Sequence, residues 1–344
     1  MSPVRITRVG VAHPRARIGQ QEAAKAIGVL GGNLRRAMLI ARGSSIQERA
    51  IAVPVAEIGA LGDIEARNRE YQQIAGPLAL EAFEAVARPD ARDRVGSIVT
   101  SSCTGYGIPG WGSQLVGWLG LRCDTTRLPI TEAGCAGGVV ALARAADFIA
   151  GHPGRSALAG AAEICSLSFH PGGDDGNLIS TLIFGDGAGA ALIEDGPGPG
   201  LEILDSASML IPGTRDALGF DLTGRGFYPV LSRRLATLLA PATRAAVVTL
   251  LRRNGLDCHR IGAWLMHPGG ARILAGLEAQ LAVRRARNQW AWDSMRDFGN
   301  TSSAAIFDVL RRYLDEPRPD GELGVVAAFG PGVAIELLLV RRVC

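Results

Sequence analysis

Lysine is almost missing from this chain: Lys25 is the only one, and arginine supplies every other side-chain cation. Blocks of like charge are missing too, and a net charge of +3 is too weak to argue for nucleic acid as a partner. The six cysteines, Cys103, Cys123, Cys135, Cys165, Cys258 and Cys344, form no Cys-x-x-Cys pair, so neither a zinc site nor a disulfide framework is suggested. Met1 to Gly10 has no continuous apolar core of the signal-peptide kind. The longest apolar runs, such as Ile335 to Val340 with Glu336 inside it, fall far short of a membrane span. A cytoplasmic protein with no bound metal and no membrane-spanning segment is expected.

What is present is a chain of 344 residues, 47% hydrophobic and 20% charged, enough for one large domain or two ordinary ones around a substantial core. Its centre of interest is Glu132 to Ile149, where Cys135 sits between glycines ahead of a helical run that is apolar on most faces. Glycines allow a sharp turn, and an all-round apolar helix is buried. Cys135 is thus expected at the start of a core helix, where free N–H groups and the helix dipole lower a thiol pKa. A small buried hydrophobe is the competing interpretation of the same residue.

Residues 1–90 read as a first strand, Val4 to Val11, followed by Ala-rich helical segments, the last from Glu65 to Ala87. Arg35, Arg36, Arg42 and Arg49 lie among them. Singly, each fits a solvated helix face; alternatively, some of them meet the phosphates of a nucleotide-tailed substrate. From Val95 the pattern changes to short apolar strands that end in small-residue turns. Val95 to Thr100 leads to Ser101–Gly105, Ser156 to Glu163 follows the Cys135 helix, and the turn Phe184–Gly189 leads to a strand from Ala190 to Ile193.

The same order returns in the second half. Ile261 to Met266 ends at His267-Pro268-Gly269-Gly270, Gly299-Asn300-Thr301-Ser302-Ser303 opens a helix, and Val325 to Phe329 precedes a last strand, Ala334 to Val340. Cys103 to Cys135 spans 32 residues and His267 to Asn300 spans 33. This is an internal duplication, with halves expected at 1–205 and 206–344, each a layered α/β unit. Joined face to face, they bring Cys135, His267 and Asn300 toward one centre. A lone histidine is more often structural and a lone asparagine more often a helix cap. Beside a cysteine, the pair can instead support a thiolate and bind a developing oxyanion.

Five motifs in register make a specific pattern: Gly134-Cys135-Ala136-Gly137-Gly138, Leu182-Ile183-Phe184-Gly185-Asp186-Gly187-Ala188, His267-Pro268-Gly269-Gly270, Phe298-Gly299-Asn300-Thr301-Ser302-Ser303-Ala304 and Phe329-Gly330-Pro331-Gly332. The chain resembles the type III polyketide synthases, the chalcone synthase-like branch of the thiolase fold. The resemblance is clearest over 95–344 and looser over 1–90. It implies a thiolase-like αβαβα layered fold. It also implies Cys135 as the nucleophile that takes an acyl starter from coenzyme A, with His267 and Asn300 holding malonyl-CoA while it loses CO2. Iterative Claisen condensation and cyclisation to a pyrone, resorcinol or related aromatic would follow. No cofactor beyond coenzyme A thioesters is implied.

The resemblance further makes Phe184 a gatekeeper and puts Cys103, Cys165, Ser168 and Ser302 on the cavity wall. Pro229 replaces a second gatekeeper and Phe220 a small glycine. Ile108 falls where the family crosses its dimer interface, implying a homodimer, and Arg35, Arg36 and Arg42 are the candidates for coenzyme A. Ala217 to Thr223 is similar to bacterial alkylpyrone and alkylresorcinol synthases, implying an aliphatic starter. The Ala- and Gly-rich, lysine-poor composition fits a GC-rich bacterium. Two alternatives stand beside this: a single-round condensation like that of ketoacyl synthase III, and a catalytically silent acyl-binding or partner subunit, which should lack the Cys135, His267 and Asn300 set.

Overall fold

The structure, a computed structural model, describes residues 2–30, 33–232 and 234–344. Its main sheet has nine strands that fall into two sets built on one plan. In the first set, Val95–Ser101 lies parallel to Thr126–Ile130 on one side and to Ser156–Ile164 on the other. Asp186–Asp195 and then Val4–Ala12 follow antiparallel. In the second set Ile261–Met266 lies parallel to Leu323–Gly330, and Ala334–Val343 and Gly200–Leu210 follow antiparallel. Only Arg5 and Ile6 join the sets, against Glu202 and Leu201. The duplication expected from sequence therefore appears strand for strand, and the first set carries one extra edge strand, Thr126–Ile130.

Two helices, Gly137–Gly151 and Ala305–Asp315, form the middle layer and pack against strands of both sets as well as against each other. Ile64–Glu84 covers the first set and Leu235–Arg253 the second. This is the αβαβα layering of the thiolase fold. The middle layer is close because its residues are small: strand Ser156–Ile164 is buried at every position and carries Ala or Gly at five of them between Ala157 and Ala162. By length and composition, Gly134–Gly151 and Leu235–Arg253 are apolar enough to cross a bilayer, which corrects the expectation of no such run. Apolarity on all sides is also what a helix sandwiched between two sheets requires.

Two local expectations are corrected. Residues 17–19 and 48–50, read as part of a helical region, form a two-stranded antiparallel pair. The strand expected from Ala190 begins at Asp186, because its small residues pair fully with Ser156–Ile164. Leu218–Thr223 and Gly226–Leu231 form a separate hairpin with Phe220 directly opposite Pro229.

Candidate active site

The Cys135 turn, Gly134–Ala136, is a single 3₁₀ turn that runs into the buried Gly137 helix. Its glycines are demanded by the other half of the molecule. Gly134 has φ 51°, and a Cβ there would overlap Pro331; a Cβ on Gly138 would overlap the Ser303 carbonyl. The corresponding turn of the second half, Ser302–Ala304, precedes the Ala305 helix, and Ser302 itself has φ 51°, a conformation rarely adopted by a residue with a side chain. The two helix starts therefore meet at backbone distance, which brings Cys135 beside Asn300 and Ser302.

Asn300 is fixed on both sides. Its Oδ1 accepts the Ser302 N–H at 2.8 Å, its N–H bonds the Ile183 carbonyl at 2.9 Å, and its carbonyl accepts from Gly185 at 3.0 Å. Oδ1 thus closes a local turn and caps no helix, since the N-cap positions of the two helical turns that follow are Thr301 and Ala304, neither with a side-chain cap bond; the Nδ2 hydrogens remain for other work. The same backbone bridge pairs Asn300 with Phe184. Arg49 completes the clamp: fully buried, it donates to the Thr181 carbonyl at 2.5 Å and the Phe184 carbonyl at 2.6 Å, at the end of helix Asp175–Ile183. Arg49, one of four arginines among which phosphate ligands were sought, is therefore not available to a phosphate. Of the other three, Arg35 and Arg42 are exposed on helix Leu34–Gly43, and Arg36 pairs with Asp175 at 3.3 Å.

Cys135, His267 and Asn300 line one pocket, walled by Ile183, Leu218, Leu235 and Phe329. Cys165, Phe184, Phe220 and Pro229 also face it, and the same four border a neighbouring, mainly apolar chamber that includes Ser168, Ile51 and Ile58. Phe184 and the hairpin pair Phe220–Pro229 are therefore the partition between two compartments. Cys103 stands behind the pocket wall, with its Sγ 3.3 Å from Ser302 Oγ and 3.4 Å from Glu163 Oε1. Ile108 lies apart from these residues and is 84% exposed.

The electrostatics differ from the sequence expectation. Burial raises the Cys135 thiol to about 11, outweighing hydrogen bonds from Ser302, Asn300 and the Cys135 backbone N–H that favour the thiolate. Burial also lowers His267 to about 3, and neither of its ring nitrogens has a hydrogen-bond partner among the described residues. His267 is thus a neutral N–H donor, suited to holding an oxyanion and poorly suited to carrying positive charge.

Sequence reasoning missed Glu163. It is the penultimate residue of strand Ser156–Ile164, is wholly buried, and accepts from the hydroxyls of Ser102, Thr104, Ser302 and Ser303 and from the Cys103 amide. The available signal was a single acid near the end of an otherwise apolar strand. A buried carboxylate without partners would cost several kcal/mol, and this density of donors around it marks a built network.

The sequence profile of chalcone and stilbene synthases matches the chain in both parts, the N-terminal domain over residues 62–197 and the C-terminal domain over 202–344. The 1,3,6,8-tetrahydroxynaphthalene synthase of Streptomyces coelicolor is 31% identical over 308 residues, 88% of this chain and 82% of that enzyme. The chain belongs to the chalcone and stilbene synthase family. The crystal structure of a Streptomyces coelicolor tetrahydroxynaphthalene synthase, a bacterial type III polyketide synthase, superposes with a TM-score of 0.91 over 99% of both chains at 28% identity. The phloroglucinol synthase of Pseudomonas fluorescens is 28% identical over 95% of this chain and 96% of that one. Fold and family thus agree with the resemblance drawn from the five motifs, and this type III polyketide synthase is an acyltransferase.

Proposed function

We propose that this synthase takes an acyl group from coenzyme A onto Cys135 and extends it with malonyl-CoA in repeated decarboxylative Claisen condensations. The chain then closes to a pyrone, resorcinol or related aromatic. The observation that carries this proposal is the convergence of a thiol, a neutral imidazole and a fixed carboxamide on one apolar-walled pocket. Decarboxylation of a malonyl thioester leaves an enolate whose negative charge resides largely on the thioester oxygen. His267 N–H and Asn300 Nδ2 are the donors available to hold it. The enolate carbon attacks the acyl group on Cys135, and the apolar wall keeps water from quenching it. Coenzyme A thioesters are the substrates, and the proposal calls for no further cofactor. Arg35 and Arg42, free at the surface of one helix, are the candidates for its phosphates, and Cys165, Ser168 and Ser302 line the growing chain's path. The two-half division is kept with its boundary moved ahead of strand Gly200–Leu210, which the 205/206 cut expected from sequence would split, and a cytoplasmic location suits enzymes fed by coenzyme A thioesters.

The partition formed by Phe184, Phe220 and Pro229 bears on starter and chain length. Both chambers are mainly apolar, which favours an aliphatic starter. Incubation with malonyl-CoA and a graded acyl-CoA series, read by product mass, tests the whole scheme: products gaining two or more C2 units are expected. A single C2 addition released as a free β-keto chain would defeat it. Replacing Phe220 by Gly opens the partition, at about 1 kcal/mol for a glycine in a strand, and should move the product profile to longer chains. An unchanged profile means that Phe220 does not set the limit.

The second copy of a homodimer is placed against the Ile108 face. Support comes from Ile108 at 84% exposure, Tyr106 at 52% and Leu128 at 44%, the last on the unpaired edge strand Thr126–Ile130. Exposed apolar groups beside an open strand edge favour association. Ile108→Glu should shift the sedimentation coefficient from dimer toward monomer; a wild-type protein that already sediments as a monomer removes the assignment.

A further inference from the structure

Asn300 presents its Nδ2 donor from a bridge that has a glycine beside each of its two residues. Gly299 has φ 70°, and a Cβ there would overlap the Ile183 carbonyl; a Cβ on Gly185 would overlap the Phe298 carbonyl. Close approach thus demands glycine next to both Asn300 and Phe184, and glycine leaves a backbone loose. The anchors stand one residue further out, at Phe298 and Asp186. His13, directly after strand Val4–Ala12, engages both of them. Its ring stacks on Phe298 with centroids 3.7 Å apart and planes within 8°, and its Nδ1 lies 3.2 Å from the Asp186 carbonyl. A carbonyl only accepts, so Nδ1 carries the proton. A Cβ on Gly187 would overlap Nδ1, so residue 187 has room only for glycine. We propose that His13 is a positioning residue: by stacking on Phe298 it holds Asn300 in the register at which Nδ2 serves the pocket.

This inference rests on the function proposed above and deepens it. Pro14 biases His13 toward extended backbone, so the strand runs straight into the stack. The Nδ1 bond to Asp186, two residues beyond Phe184, fixes how the ring is turned and ties it to the other strand of the bridge. Phe298 is held by its neighbours as well. The Arg17 guanidinium carbon lies 4.7 Å from the ring centroid, and Arg17 donates to the Asp297 carbonyl at 3.0 Å. Arg312, 5.6 Å from the same centroid, donates to the Asp297 carboxylate at 2.9 Å. Burial, helped by Arg17 and Arg311, lowers the His13 pKa against the Asp186 carbonyl and Asp308, so the ring is neutral and keeps one tautomer. Cys135 is placed by another contact, Gly134 against Pro331. Loss of the stack should therefore impair decarboxylation, which uses Asn300, and spare acyl loading, which uses Cys135.

Two rates measured on the same preparations test this: loading of the acyl group from hexanoyl-CoA, read by intact mass, and release of CO2 from malonyl-CoA labelled in its free carboxyl group. His13→Ala should lower kcat for CO2 release at least about tenfold, since a group misplaced by about 1 Å costs on the order of a hundredfold. KM for malonyl-CoA and the loading rate should stay within about twofold of wild type. His13 Nε2 has no hydrogen-bond partner among the described residues, so His13→Phe keeps the stack and forfeits only the Nδ1 bond. That variant should recover CO2 release to within about threefold of wild type. Should His13→Ala fail to fold, Phe298→Leu removes the same stack from its other side and should split the two rates in the same way. Loading and CO2 release that fall together, as a general loss of structure would make them, overturn the proposal. So does unchanged CO2 release in His13→Ala, or a His13→Phe variant no better than His13→Ala. Failure of the underlying function shows separately, as wild-type protein that releases no CO2 and loads neither hexanoyl nor any other acyl group.

Discussion

Replacing Cys135 by Ala is expected to abolish acyl loading altogether, with no acyl adduct in the intact mass after incubation with an acyl-CoA. The reaction needs a nucleophile that can form and break a thioester, and alanine offers none. The fold should survive, because the hydrogen bond between Sγ and Ser302 is long, 3.5 Å, and the turn is set by its glycines. The melting temperature is therefore expected to stay near that of the parent. His267 and Asn300 remain in the variant, so slow release of CO2 from malonyl-CoA should persist while condensation stops. Cys165 lines the same pocket and Cys103 lies behind Ser302. Peptide mapping of any residual adduct matters for that reason. A full-strength adduct on either of them would reassign the nucleophile.

How much of this was legible in the sequence depends on whether the cause was local. The glycines around Cys135 and the Gly299–Ser303 turn are local signals, and they correctly marked two helix starts that must approach closely. The repeat of strand, turn and helix was legible for the same reason, since periodicity and punctuation survive when identity has decayed. Electrostatics was not legible. The Cys135 position suggested a lowered pKa from the helix start, but burial by both halves of the molecule outweighs a half-charge that extends over one turn. Arg49 looked like its neighbours Arg35, Arg36 and Arg42, and only the tertiary path of helix Asp175–Ile183 turns it into a clamp on Phe184. Glu163 carries no local mark beyond its place near a strand end, because its donors arrive from residues 102–104 and 302–303, far apart in the chain.

Asn300→Asp separates the two tasks of this residue more sharply than alanine does. One carboxylate oxygen can still accept the Ser302 N–H that Oδ1 now takes at 2.8 Å, so the turn keeps its bond. The other oxygen replaces the Nδ2 donor and points a negative charge at the place where the enolate charge develops. Removal of one oxyanion donor costs roughly 3 kcal/mol, on the order of a hundredfold to a thousandfold in rate. CO2 release from malonyl-CoA should fall by at least that much, and the added buried charge should also lower the melting temperature. Asn300→Ala should lose activity and also melt lower, because it leaves the buried Ser302 N–H without its partner, a loss of about 1–3 kcal/mol. Loss of activity in the Asp variant, which keeps an acceptor for the Ser302 N–H, is what identifies Nδ2 as the working atom. An Asp variant that releases CO2 within about threefold of the parent rate would fall far short of the loss expected for an oxyanion donor. Stabilisation of the enolate would then rest on His267 alone.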